Sequence, residues 1–385
     1  SVPHVHGYRP QPEDSTALGL NLWTVNGTFR MDREVSHRLS YSAGLSGLYM
    51  QNSRSGFEYL IPSFVSSQGG VFGYGSWKAN ERVTFNGGAR IEVADRSLNG
   101  FSETVYDAEL QVIGSRERTP DIDRQFVGWA LATGIVISGR TTDVHINLSR
   151  SFRFPAPNEL GMNGVHHGTF RHEQGDATLN MEEGYHSDIQ FRLEQGAHSL
   201  NAGAYFNFFT NYIYLGTTAQ FSPLPEAGAI YRYQQDPATH TGFELDYIWE
   251  MPADLEFSVS AAYIYTYNFT STLSLPFMPP FNVRPELRYQ PSWGKEDRWS
   301  GNVAVSWDWY TAQNRNDRNE PKTPGYDLLN VGMGIELTTK QLVIGLDVQC
   351  INLLDALNMN HLSRYRLLNL PEPGRNGTIR AFVRF

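Results

Sequence analysis

The stretch GVHHGTFRHEQGD carries His166, His167 and His172 together with Glu173 and Asp176. Neutral imidazoles joined by a carboxylate are the ligands that Zn²⁺ and Cu²⁺ take. These five residues therefore form a candidate metal site. The opening PHVHGY adds His4 and His6, which point the same way in an extended chain and make a two-nitrogen grip. His166 and His167 diverge unless the loop bends, and Gly164 and Gly168 make bending easy. The plainer reading is a solvated loop whose polar residues hold nothing. His145, His186 and His240 stand among other polar residues of alternating segments and read as hydrogen-bonded spacers. Arg150, Arg153, Asp246, Arg288 and Arg380 read the same way, as residues of a polar face.

Composition narrows the setting for this chemistry. The chain has 385 residues, with 40 Asp and Glu against 31 Lys and Arg. It offers no basic face, so nucleic acid is not an expected partner. The single cysteine, Cys350, excludes an internal disulfide framework and a cysteine-rich zinc centre; it lies in an apolar run as an inert buried or lipid-facing thiol. No nucleophile elbow or glycine-rich phosphate loop is present, so an enzyme is not expected and no cofactor is required. No run approaches the roughly twenty apolar residues of a membrane helix. Aromatics make up 13% of the chain and glycines number 35, which suits many strands and turns. The opening SVPHVHGYRPQPEDST has neither a basic start nor an apolar run. The expectation is that a leader has been removed or that the chain begins partway through a longer precursor.

The elements that must position the histidines are strands. In RWSGNVAVSWDWYT, Trp299, Val303, Val305, Trp307 and Trp309 share one face, opposite Ser300, Asn302, Ser306 and Asp308. DLEFSVSAAYIYTY and KQLVIGLDVQCINLL alternate in the same way. About fifteen such strands are predicted, near 15–31, 35–50, 69–80, 82–97, 123–139, 140–153, 178–194, 197–215, 228–250, 254–270, 284–294, 298–312, 324–339, 341–354 and 375–385. Short turns (MDREVS, KANER, SGRTT, EQGAH, MPADL, GKEDR, TTKQ) take turns with long loops near 51–68, 98–122, 154–177, 216–227, 271–283, 313–323 and 355–374. A soluble sandwich has no reason to gather its long loops at one end. A transmembrane antiparallel β-barrel does: its apolar face meets lipid, its short turns lie in the periplasm and its long loops face outward. Trp307, Trp309, Tyr263 and Tyr265 are candidates for an interfacial girdle. If the last strand runs inward, an odd count makes the first run inward too, so the chain is not expected to close alone and something must supply the missing strands.

The blocks SRSFRFPAPNEL, GDATLNMEEGYHSDI, NEPKTPGYDLLNVGMGI and INLLDALNMNHLSRYRLLNLPEPGRNGTIRAFVRF, in this order, resemble the C-terminal barrel portion of a TonB-dependent outer-membrane receptor. The resemblance covers 1–385. The ending, with Ile379, Ala381, Val383 and Phe385 on one face, resembles the assembly signal of bacterial outer-membrane barrels. What the resemblance implies is a barrel of about twenty-two strands with a plug that engages the TonB complex. The plug and the first strands are then expected on a separate segment. Its implied work is energised import of a scarce ligand through the outer membrane, with a surface lipoprotein as a further candidate partner. The histidine-bearing segment after FRFPAPNEL resembles the corresponding loop of zinc-uptake receptors. FRFPAP and GDATL also resemble the two boxes of haem receptors, which makes haem ligation by His166 or His167 the rival. Siderophore or vitamin uptake would use aromatic and arginine contacts, for which Tyr8, Arg364 and Tyr365 are candidates. A passive porin or surface-assembly barrel is the alternative from another class.

Overall fold

The structure is a computed structural model that describes residues 17–56, 58–107, 111–166, 168, 171–224 and 227–385. It is all-β. The strands are β1 (Gly19–Ser36), β2 (Leu39–Ser55), β3 (Phe64–Lys78), β4 (Val83–Leu98), β5 (Phe101–Tyr106), β6 (Val112–Thr119), β7 (Ile122–Ser138) and β8 (Thr142–Arg153). A five-residue helix, α1 (Pro157–Gly161), precedes β9 (Asn163–His166) and β10 (Arg171–Gln174). Then come β11 (Glu182–Gln195), β12 (His198–Phe221), β13 (Ala229–Met251), β14 (Leu255–Asn268), β15 (Asn282–Tyr289), β16 (Ser292–Trp293), β17 (Trp299–Tyr310), β18 (Tyr326–Thr338), β19 (Val343–Ile351) and β20 (Asn376–Arg384).

Fifteen of these strands make one antiparallel meander, in the order β1, β2, β3, β4, β7, β8, β11, β12, β13, β14, β15, β17, β18, β19, β20. Among the described residues β1 and β20 do not pair with each other, so the sheet is open. The expected strands are present, with corrected ends. MDREVS continues β1, and the turn is His37–Arg38. β3 starts at Phe64, so the first long loop is shorter than its composition implies. The 98–122 region holds a two-stranded hairpin, β5–β6, and the 154–177 region holds α1 and the β9–β10 hairpin.

Register explains why the meander needs lipid. Leu45 lies opposite Val71, Val71 opposite Ile91, and Ile91 opposite Trp129, so one apolar face runs across four strands. It continues through Phe257, Leu287, Val305 and Val331 to Cys350. These side chains stand open: Phe29 is 70% exposed, Val127 67% and Ile379 74%. Apolar area on this scale is stable only against another apolar medium. The opposite face is polar and cross-linked: Asn147 donates to Asp188 at 2.8 Å, and Arg284 meets Glu286 at 3.3 Å and Asp308 at 3.2 Å. His186 bridges Ser151 at 2.6 Å and Asn207 at 2.9 Å, the spacer role its neighbours imply. Arg150 departs from its expected place. It shares the apolar face, lies 3.8 Å over the Trp129 ring, donates to the Trp129 carbonyl and pairs with Glu183 at 2.9 Å, so its charge is covered by partners on that face. No described helix is long and apolar enough to cross a membrane.

A small core gathers at the long-loop end. Leu160 and Leu179, from the segment between β8 and β11, pack with Phe64, Leu98 and Ile122 of the polar face and with Ile213.

Candidate functional site

The segment holding the histidine-rich stretch is folded down onto this core. Arg153 closes β8 and grips Glu159 at 2.8 Å and Glu182 at 3.1 Å, tying α1 to the start of β11. Glu159 also accepts the Ala156 N–H at 2.8 Å, and Pro157 supplies the preset first turn. The Gly161 carbonyl accepts from Tyr59 Oη at 3.0 Å and Thr119 Oγ1 at 2.9 Å. Burial pushes the Tyr59 phenol up to about 12, so it remains a donor. Arg124 donates to the carbonyls of Ala177 and Leu179. The β9–β10 hairpin then lies along the outer part of β13 in parallel register, His172 beside Ile230. At Gly164 the hairpin passes so close to Tyr59 that a Cβ would collide with its backbone carbonyl.

Period two splits the candidate ligands between the hairpin faces. His172 lies opposite Val165 and shares its face with Asn163. It is buried, with Nδ1 2.8 Å from Ser222 Oγ and Nε2 2.8 Å from Asn163 Oδ1. The Asn163 amide donates to Arg118 O, so its oxygen is free to accept, and the network assigns the proton to Nε2. Burial, with the Arg118 and Arg116 charges, pushes His172 down to about 4, so the ring is neutral at neutral pH and both nitrogens are engaged. Asp176 builds a turn: its carboxylate accepts the Thr178 N–H at 2.8 Å and hydroxyl at 2.6 Å, while its own N–H donates to Glu159 O at 2.8 Å. His166, opposite Arg171, and Glu173, opposite Gly164, share the other face and are half-buried. His4, His6 and His167 lie outside the described residues. Among the described residues no three His, Cys, Asp or Glu side chains come together as a metal site.

A second buried cluster had no local sequence signal. Glu320 accepts from Arg366, with His361 Nε2 at 3.3 Å and the Phe277 N–H at 3.0 Å; His361 Nδ1 is 2.9 Å from Thr323 Oγ1. Burial by itself raises the Glu320 carboxyl, but the hydrogen bonds from His361, Arg366 and Phe277 outweigh it and hold the group below the usual carboxylate range. The Phe277 ring carries Arg366 at 5.6 Å and Arg171 at 4.9 Å, and Arg171 also lies 4.4 Å over Tyr231. One cluster thus fastens the 269–281, 311–325 and 352–375 loops to the β9–β10 hairpin. Tyr365, a sequence candidate for ligand contact, is exposed beside it.

Residues 5–353 match the family described as "TonB dependent receptor-like, beta-barrel". The chain belongs to the TonB-dependent receptors. This is the family its C-terminal blocks resemble, and it places the chain in the bacterial outer membrane as a multi-pass β-barrel wall. The solved structures it is similar to include the copper transporter OprC, at 17% identity and TM-score 0.76, with 95% of this chain and 57% of that one covered. The FrpB iron transporter from Neisseria meningitidis (F3-3 variant) matches at 12% identity and TM-score 0.66, over 94% and 55% of the two chains. The Serratia marcescens hemophore receptor HasR, solved as a double mutant with its hemophore HasA and heme, matches at 13% identity and TM-score 0.64, over 95% and 59%. The chain therefore spans a little over half the length of these structures, and the likeness is one of fold. This receptor family and these neighbours are receptors and transporters rather than enzymes.

Proposed function

We propose that this chain forms the last fifteen strands of a barrel of about twenty-two, completed by a plug and early strands, and that the assembly imports a metal, as an ion or a chelate, with energy from TonB. The observation that carries the metal reading is the placement of His166 and Glu173 on one face of a hairpin pinned at the long-loop end, with His167 next in sequence. An imidazole and a carboxylate at the mouth suit Zn²⁺ as first ion. The names of the similar structures, a copper transporter, an iron transporter and a hemophore receptor with heme, support metal cargo in general and haem as the second reading, with a siderophore beside it on the exposed Tyr365. His4 and His6 are proposed as further ligands, with a surface lipoprotein as donor of cargo. Asp176 and His172 are proposed to act as struts of the site.

The test is titration of the complete receptor with Zn²⁺, Cu²⁺ and haem by calorimetry, before and after the double substitution His166→Ala and His167→Ala. A loss of tenfold or more for one ligand, about 1.4 kcal/mol, is the expected result. Unaltered affinity for all three, or no binding to the unaltered receptor, overturns the reading.

A further inference from the structure

Beyond cargo import, we infer that the outer rim carries a binding site for the phosphorylated headgroup of one outer-leaflet lipid, clasped at Arg315. The site is a recess of about 240 Å³ at the long-loop ends of β14, β15 and β17, lined by Tyr263, Tyr265, Met278, Phe281, Thr311 and Arg315 among others. One wall belongs to the apolar face, and Thr266, Ser274 and Gln313 make the other polar. The Phe281 ring meets Phe243 at 6.2 Å, Tyr263 at 6.3 Å and Trp309 at 6.0 Å, and these partners share the lipid-facing register.

Arg315 supplies the charge. Its guanidinium lies 3.7 Å over the Tyr265 ring, and among the described residues it has no acidic partner. A cation stacked on an aromatic face keeps its N–H groups available at the edge, in the plane where a phosphate makes bidentate hydrogen bonds. The recess is held open by buried Gln313, whose amide donates to Met278 O at 2.9 Å and Pro279 O at 3.2 Å, and by Thr311 N–H donating to Phe281 O at 3.0 Å. Gln313 Oε1 accepts the backbone N–H of Arg315 at 3.0 Å, which fixes the main chain at the lip and leaves the guanidinium to the Tyr265 ring. A recess of mixed aromatic and polar lining at the edge of the lipid-facing band, with Arg315 at its lip, matches the headgroup of an amphiphile whose phosphate meets the arginine while its acyl chains run down the apolar face outside. This inference needs only the outer-membrane placement and is independent of the cargo.

The complete receptor in detergent is tested by native mass spectrometry and surface binding with lipid A, lipid A stripped of its phosphates, and inorganic phosphate. Phosphorylated lipid A is expected to bind. Arg315→Gln is expected to weaken it about fivefold or more, Arg315→Lys to weaken it less, and Arg140→Gln, in a short turn at the opposite end, to leave it unchanged. Ala312→Trp, which fills the recess with Arg315 intact, is expected to expel the lipid. The heat-dependent gel mobility of each variant reports whether its wall has folded. Equal binding of the dephosphorylated lipid, indifference to both Arg315→Gln and Ala312→Trp, or displacement by inorganic phosphate as readily as by lipid A overturns the proposal.

Discussion

With both ring nitrogens of His172 engaged, its removal leaves the half-buried Ser222 and Asn163 without that partner, at a cost of about 1 kcal/mol. His172→Ala is therefore expected to open the β9–β10 hairpin to protease while leaving metal affinity intact. The ring also makes hairpin docking sensitive to acid. Its folded value of about 4 lies below the ordinary 6.5, so the docked state binds fewer protons than the undocked one. Docking is then fully stable above the ordinary histidine range and weakens as pH falls from 6.5 towards 4. Hydrogen exchange of residues 163–174 at pH 7.5 and 5 checks the sign. Glu320 behaves as a buried carboxylate whose partners depend on its charge. Glu320→Gln leaves Arg366 buried without its counterion, and a loss of about 3–5 kcal/mol is expected, read as proteolysis in the 311–325 and 352–375 loops. Its depressed folded pKa means this lock holds above the unfolded carboxylate value and is lost as pH falls through the folded one.

Strands and turns were largely legible from the chain because a sheet with lipid on one side and polar groups on the other imposes alternation residue by residue. What stayed hidden was the structure inside the long loops. The residues that make α1 and the β9–β10 hairpin are fixed by partners far away in sequence: Tyr59 for Gly161, Asn163 for Arg118, Glu182 for Arg153. No local period encodes such pairs. The same limit applies to Asp176 and His172: their residue types suggest ligands, and the protein partners their polar atoms have come from the fold rather than from any local pattern. Arg150 is a different case: period two already sets it with Ile146 and Leu148 on the apolar face, and the Trp129 ring receives it there. Substituting Arg153 should therefore act on the element rather than at a point. Arg153→Ala leaves Glu159 and Glu182 side by side near the Leu160 core, and the whole 154–180 segment is expected to gain protease sensitivity together. Gly164→Ala is expected to do the same through its collision with Tyr59. If either variant resists protease like the parent, the segment is not held in the way described.

At the scale of the molecule, β1 and β20 each present an edge unpaired among the described residues, and such an edge is untenable in a hydrocarbon layer, where each unmet backbone group costs several kcal/mol. The chain expressed alone is therefore expected to give no heat-resistant compact band on a gel, whereas co-expression with a completing segment is expected to give one. Removing Phe385, fully exposed at the end of β20, is expected to lower the amount reaching the outer membrane by several fold in fractionated cells while leaving synthesis unchanged. A further consequence lies in the length of β12 and β13, at 24 and 23 residues. At about 3.4 Å per residue each runs to about 80 Å, and even tilted by about 40° it rises far above an apolar band of about 25 Å. These two strands and the loops locked around them form a turret standing above the apolar band. Antibodies and phages approaching the cell would touch this turret before they reached any lipid.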